Sequence, residues 1–146
     1  MNIEQLEDLE AIRQLKARYL RILDTKQWDS WADCFTSDVL AIFEGAPRSS
    51  KDHPVENRVE GNELIVELCR DLLAEPITIH QAFMPEIELT SATTATAIWA
   101  MFDNVKFATC NFKGWGHYHD EYVKDGGKWK IKKTHLIRLH TEEEWL

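Results

Sequence analysis

The first 23 residues constrain this chain most, because their apolar side chains recur at spacings that a helix gathers on one side. Ile3, Leu6, Leu9, Ile12, Leu15, Tyr19, Ile22 and Leu23 fall at steps of three and four, the stripe of an amphipathic helix packed along its length. Asp24 follows directly on that stripe, one turn past Leu20. A carboxylate there opposes the helix dipole, which favours cations at a C-terminus, and it stands at the border of the buried face. Either it is a solvated acid at a fraying helix end, or the rest of the chain supplies it with a partner.

The remaining elements follow in order. Trp28, Trp31 and Phe35 stand at i, i+3 and i+7, which predicts a short second helix with an aromatic seam. Ser37–Asp38 breaks it, and Val39–Phe43 suits a short strand. The stretch 45–60, GAPRSSKDHPVENRVE, carries two prolines and mixed charge, and a loop of that length is expected to serve as a lid or binding loop. Gly61–Asn62 starts a third helix with Leu64, Ile65, Leu68 and Leu72 on its buried side, and Glu75–Pro76 stops it. From Ile77 the period changes to two. The segments 77–89, 93–109, 115–124 and 128–140 read as four long strands, joined around Ser91, at Lys113–Gly114 and at Asp125–Gly126–Gly127. Helices first and an antiparallel meander afterwards make an α+β layout, expected as one domain over residues 1–146. A long twisted sheet curling around helices leaves a cone with an open mouth, a common place for a ligand.

Composition narrows the function. A formal charge of −8 argues against a nucleic-acid or anionic-membrane surface, since both need clustered Lys and Arg. The one basic run, Lys128–Lys133, alternates with Trp129 and Ile131 and reads as the wet face of a strand. Cys34, Cys69 and Cys110 are far apart, odd in number and without a CxxC pair, which suits reduced, mostly buried thiols in a cytoplasmic protein. The N-terminus is acidic, unlike a signal peptide, and no apolar run reaches membrane-spanning length.

Strand side chains alternate, so each face can be audited separately. One face of the second long strand carries Thr93, Ala95, Ala97, Trp99, Met101, Asp103, Val105 and Phe107. Asp103 is a single carboxylate in that apolar row, and it needs a partner, a raised pKa or water. His80 shares its face with Thr78, Ala82 and Met84, and Arg138 shares one with Thr134, Leu136 and His140. Each has an ordinary structural reading: a strand-end acid, a core histidine, a surface ion pair. Together with Tyr19 and Asp24 they form a set with recognisable chemistry. A carboxylate bonded to an imidazole fixes its tautomer and yields a general base near neutral pH. A phenol and a guanidinium could stabilise an oxygen that gains negative charge or help a hydroxide depart. No Ser or Cys nucleophile stands beside a base, and there is no Gly-rich phosphate loop. His117, His119 and Glu121 share a strand face and form a rival H-x-H-x-E metal cluster. Alternating polar residues on a strand more often mean a face turned to water or to a neighbouring subunit.

The order of elements and these spaced residues resemble the nuclear transport factor 2-like superfamily, in its SnoaL-like branch. The resemblance runs through YLRILDTKQWDSWADCFTSDV, ITIHQAF and GHYHDEYVKDGGKWKI, and covers nearly the whole chain. It implies a cone-shaped α+β barrel, a curved antiparallel or mixed sheet wrapped around three N-terminal helices. Within the branch the chain is most similar to bile-acid 7α-dehydratase and hexachlorocyclohexane dehydrochlorinase, whose His–Asp dyad is matched by His80 and Asp24. Tyr19 falls where the dehydratases carry a Tyr and the dehydrochlorinase a Lys, which implies a hydroxide leaving group. Asp103 matches an acid of the bile-acid enzyme, where scytalone dehydratase has a His, and Arg138 matches a late-strand Arg. Loop 45–60 has no clear counterpart and is expected to set specificity. The resemblance implies a cofactor-independent lyase without a metal, acting on a small, mostly apolar, hydroxylated ring compound in a pocket lined by Trp, Phe and Met. The alternatives are an isomerase or cyclase on the same site, and a non-catalytic ligand-binding or assembly module. A homo-oligomer is expected, a trimer before a dimer.

Overall fold

In the computed structural model, which describes residues 1–53 and 57–146, helix α1 (Ile3–Asp24) opens with a reciprocal cap. Asn2 Oδ1 accepts the Gln5 N–H, and Gln5 Oε1 accepts the Asn2 N–H, so two donors at the helix start are satisfied. The packed stripe is shorter than the spacing predicts. Ile12, Leu15, Tyr19, Leu20, Ile22 and Leu23 are buried, but Ile3 and Leu6 are exposed. Nearer the start it is Asp8 that meets the sheet, accepting from Trp129 Nε1 at 2.9 Å and Lys124 Nζ at 3.0 Å.

Helix α2 (Trp28–Ala32) ends before Phe35, which already belongs to strand β1 (Phe35–Phe43). Phe35 still meets the Trp31 ring edge-on, with centroids 5.0 Å apart, so the aromatic seam persists although the helix does not. Strand β2 (Asn57–Glu60) lies inside the stretch expected to be a loop. It pairs antiparallel with β1 from Leu40↔Glu60 to Phe43↔Asn57, and with only Val59 of the four buried it is too short to show a period. Residues 54–56, the middle of the expected lid, lie outside the described residues. Helix α3 (Asn62–Leu73) buries Ile65, Val66 and Leu73 and leaves Leu64 and Leu68, both expected on its buried side, exposed.

Four long strands complete the fold: β3 (Ile77–Leu89), β4 (Thr94–Lys106), β5 (Cys110–Asp125) and β6 (Lys128–Trp145). The sheet order is β2-β1-β6-β5-β4-β3, with β1 and β6 parallel and every other pair antiparallel. The result is an α+β fold with a mixed, curved, unclosed sheet and the helices on its inner side. No helix among the described residues is long and apolar enough to cross a membrane. Cys34 and Cys110 are buried, Cys69 is partly so, and all three are free thiols.

The turn expected at Lys113–Gly114 is not a turn. The chain reverses earlier, where the Phe107 N–H donates to the Cys110 carbonyl at 2.9 Å, and Gly114 pairs with Asp103 and Thr141 in mid-sheet. Glycine is required there by a close approach: a Cβ would lie 2.0 Å from Arg138 Nη1 and 2.5 Å from Asp103 Oδ1. At Gly116 a Cβ would meet the Ile137 carbonyl oxygen at 2.2 Å, where the β5–β6 register slips. Met84 does not share the face of His80. At φ 51° it forms an irregularity between Phe83 and Glu86 and turns outward, 84% exposed.

One ion pair lies wholly inside the core. Lys16 Nζ, on α1, donates to Asp120 Oδ2 on β5 at 2.8 Å, and both side chains are fully buried. Asp120 also accepts from the Tyr122 hydroxyl at 2.6 Å and the Thr134 hydroxyl at 2.7 Å, while Trp99 Nε1–H donates to the Tyr122 oxygen at 3.0 Å. Burial pushes the Lys16 ammonium down in pKa, and the Asp120 carboxylate opposes that shift. Removing one partner of such a pair leaves an uncompensated buried charge, which costs about 3–5 kcal/mol. Asp120→Asn is therefore expected to lower unfolding stability by about that amount in urea titration. A variant as stable as the parent would show that Lys16 finds water or another acceptor.

Candidate active site

The end of α1 meets the start of β3, and Asp24 accepts three hydrogen bonds there. The His80 N–H donates to Oδ2 at 2.8 Å, His80 Nδ1–H donates to Oδ1 at 2.6 Å, and the Thr78 hydroxyl donates to Oδ1 at 3.0 Å. These donors offset the unfavourable position of a carboxylate at a helix C-terminus, so Asp24 is not a loose acid at a fraying end. A carboxylate only accepts, which puts the imidazole proton on Nδ1 and leaves the lone pair on Nε2.

Across the β3–β4 ladder His80 stands opposite Asp103, and Nε2 lies 3.9 Å from Asp103 Oδ2. Asp103 is buried, 1% exposed. Its partner is Arg138, whose Nη1 donates to Oδ1 at 2.6 Å and Nη2 to Oδ2 at 3.0 Å. Arg138 Nε donates to the Glu44 carbonyl at 3.1 Å, Nη1 also reaches Met101 Sδ at 3.7 Å, and the guanidinium sits 5.2 Å from the Phe112 ring centroid. All three nitrogens of Arg138 donate within the protein, leaving one Nη2 N–H over. It is a holder of Asp103 rather than an open anion site.

A cavity of about 660 Å³, counting its open mouth, reaches His80, Asp103, Arg138 and Tyr19. Asp24 stands behind His80 and does not line it. Much of the wall is aliphatic, including Leu23, Val59, Ile65, Leu72 and Leu136, with Trp31 and Phe43 as its non-phenolic aromatics. No methionine lines it, contrary to the sequence expectation: Met101 is buried beneath Arg138 and Met84 points outward. Ala46, Pro47, Asn57 and Val59, from the expected lid stretch, line the cavity. That stretch is pinned by Arg48, which makes a two-pronged bond to Glu143 at 2.8 and 2.9 Å, and by the Thr109 hydroxyl donating to the Ser49 carbonyl.

Two phenols share the wall. Tyr19 and Tyr118 pack edge to face with ring centroids 6.3 Å apart. Lys16 Nζ sits 4.5 Å from the first centroid and 3.7 Å from the second. Among the described residues neither hydroxyl has a hydrogen-bond partner. Burial raises both phenol pKa values well above their ordinary range, and the nearby Asp103 carboxylate adds to the rise at Tyr118. Burial likewise pushes the Cys69 thiol up to about 12, so it lines the cavity as a neutral group.

The structure thus gathers all five sequence-selected residues at one end of one cavity, four on its wall and Asp24 behind. Sequence reading missed Tyr118 and Lys16. Both had a signal: Tyr118 lies on the β5 face of Phe112, Asp120 and Tyr122, and Lys16 lies four residues after Ile12 and three before Tyr19. His117, His119 and Glu121 occupy the opposite, outer face of β5, the two imidazoles 6.5 Å apart. Among the described residues no three His, Cys, Asp or Glu side chains converge as a metal site.

The SnoaL-like domain model matches residues 4–135 of this chain. A scytalone dehydratase-like protein of Novosphingobium aromaticivorans superposes with a TM-score of 0.83 at 20% identity, covering 100% of this chain and 93% of its own. A type 2 hexachlorocyclohexane dehydrochlorinase gives 0.84 at 20% identity over 99% and 93%. A Mycobacterium tuberculosis protein of unknown function gives 0.76 at 24% identity over 92% and 73%. At these identities the likeness is one of fold.

The chain's three tyrosines, Tyr19, Tyr118 and Tyr122, are all buried, and all have pKa values raised well above 10.0. Stability from protonated phenols is complete below the unfolded value near pH 10 and is lost as pH rises toward the folded values. Alkaline titration is therefore expected to show almost no tyrosinate absorbance until the chain unfolds cooperatively, above about pH 10. Tyrosinate forming in the folded protein near pH 10 would contradict this account.

Proposed function

The chain belongs to the SnoaL-like domain family, and on that premise we propose that it is a cofactor-independent lyase of the dehydratase kind. The observation that carries the reading is the 2.6 Å contact from His80 Nδ1 to Asp24 beside an open cavity. Asp24 holds the ring so that Nε2 offers its lone pair, and Nε2 removes a proton from carbon next to a carbonyl or similarly activated centre. The imidazolium that forms stands between two carboxylates, Asp24 at Nδ1 and Asp103 near Nε2. Charge created by proton transfer is thereby met by groups already in place.

Tyr19 and Tyr118 supply hydroxyl donors on the same wall. They hydrogen-bond the substrate oxygen that gains charge, either the enolate or the departing hydroxyl. The proton taken by His80 leaves with that hydroxyl as water, so elimination is balanced without a further reactant. The substrate on this reading is a small, hydroxylated, mostly apolar ring compound, which suits the aliphatic wall. Returning the same proton to another carbon would make the protein an isomerase, the second reading that this base supports.

A homo-oligomer, a trimer before a dimer, is part of the proposal. Ile79, Phe83, Ile98, Ile137 and Leu139 are exposed on the outer face of the sheet, and covering such a face with a second copy is favourable. Sedimentation analysis is expected to find more than one chain per particle.

His80→Ala and Asp24→Ala are each expected to reduce water loss from a hydroxylated ring substrate by about 10²–10⁴-fold while preserving the circular dichroism spectrum. Full turnover in either folded variant sinks the mechanism. Tight binding of a ring compound by the parent protein, without water loss or isomerisation across a substrate screen, would favour the binding-module alternative.

A further inference from the structure

The cavity has one guanidinium on its wall, and most of its donors are already engaged. Arg138 gives both Nη nitrogens to Asp103 at 2.6 and 3.0 Å and its Nε to the Glu44 carbonyl, with its side chain only 7% exposed. Gly114 makes the close pairing possible by leaving out a Cβ. Around this end of the cavity three carboxylates, Asp24, Asp103 and Asp120, face two cations, Lys16 and Arg138. The carboxylates outnumber these cations, and Lys16 is itself bonded to Asp120. Of the cations in the lid stretch, Arg48 pairs with Glu143, Arg58 with Glu60, and Lys51 lies over the Trp145 ring; none of the three lines the cavity. Apart from one remaining Nη2 N–H of Arg138, the polar groups left open on the wall are neutral: two phenol hydroxyls, the Asn57 amide and one imidazole nitrogen.

We infer that Asp103 sets the charge of the ligand this cavity accepts: by occupying both Nη groups of Arg138 it excludes carboxylates and phosphates and leaves uncharged, oxygen-bearing ring compounds as the substrate class. This rests on the reading of the cavity as a ligand site and deepens it. A bare anion entering the site would shed water for a cation already paired with a carboxylate, and would meet Asp103 at close range. A neutral carbonyl or alcohol pays neither cost, since the phenols donate to it and His80 Nε2 accepts from it. Asp103 is thus a determinant of specificity as well as a neighbour of the base.

The test is calorimetric titration of the full chain with two probes of one shape, 1-tetralol and the corresponding tetralin-1-carboxylate, at neutral pH. The alcohol is expected to bind at least ten-fold more tightly than the carboxylate. Asp103→Asn removes the competing charge and frees Arg138, so carboxylate affinity is expected to rise at least ten-fold. Carboxylate binding to the parent protein as tightly as the alcohol, or no binding of the alcohol, overturns the inference. The parent comparison decides the charge selection, and a folded Asp103→Asn with no gain in carboxylate affinity overturns the role given to Asp103. Binding is read here without turnover, so a protein that selects neutral rings yet dehydrates none of them defeats the catalytic reading and leaves the charge selection standing.

Discussion

An isolated carboxylate inside an apolar cone costs several kcal/mol unless it is paired, and this chain buries Asp103 and Asp120 there, with a partly buried Asp24 behind the wall. Asp24, Asp103 and Asp120 sit on α1, β4 and β5, and their partners come from other elements: His80 and Thr78 from β3, Arg138 from β6, Lys16 from α1. Each pair ties a helix to a strand or one strand to another. A one-residue slip would turn every side chain of a strand to the opposite face, breaking these bonds along with the apolar packing. The polar set therefore works with the hydrophobic pattern in fixing register, and the active-site candidates belong to that same set.

The same constraint explains the glycines that do not mark turns. At Gly114 the backbone of β5 lies directly under the Asp103–Arg138 pair, and any side chain would collide with the bidentate bond. Gly116 accommodates the β6 backbone where the register slips between Trp115 and Gly116. Read locally, Lys113–Gly114 looks like a reversal. Only the position of Arg138, 24 residues later in sequence, reveals its purpose.

Much of the fold was legible because the signals were long. The α1 stripe, the period-two segments after Ile77 and the hairpin at Gly126–Gly127 all carry the same information several times over. What was lost was short or non-local: β2, with one buried residue, and Phe35, whose helical spacing is satisfied from a strand. Of the candidate site, Asp24, His80 and Asp103 were legible as polar residues breaking apolar rows, and Tyr19 and Arg138 as the groups that could complete their chemistry. Tyr118 and Asp120 alternate with His117, His119 and Glu121, whose spacing is the louder signal, although alternation assigns them inward as firmly as it assigns those outward. Lys16 reads as a solvated helix residue until its place on the Ile12–Tyr19 stripe is weighed.

Lys16 also shows how structural and chemical demands meet. Its ammonium neutralises Asp120 and at the same time rests on the faces of both cavity phenols, 4.5 and 3.7 Å from their centroids. A cation over an aromatic ring is attracted to the electron-rich face, so the ring's electrons are drawn toward it and the hydroxyl becomes a stronger donor. Burial acts the other way on ionisation and keeps both phenols protonated. The two influences act on different things: one strengthens the hydrogen bond, the other prevents loss of the proton that makes it. A pair of buried hydroxyls that donate well without ionising suits a site where an oxygen gains charge for the duration of a reaction and then departs.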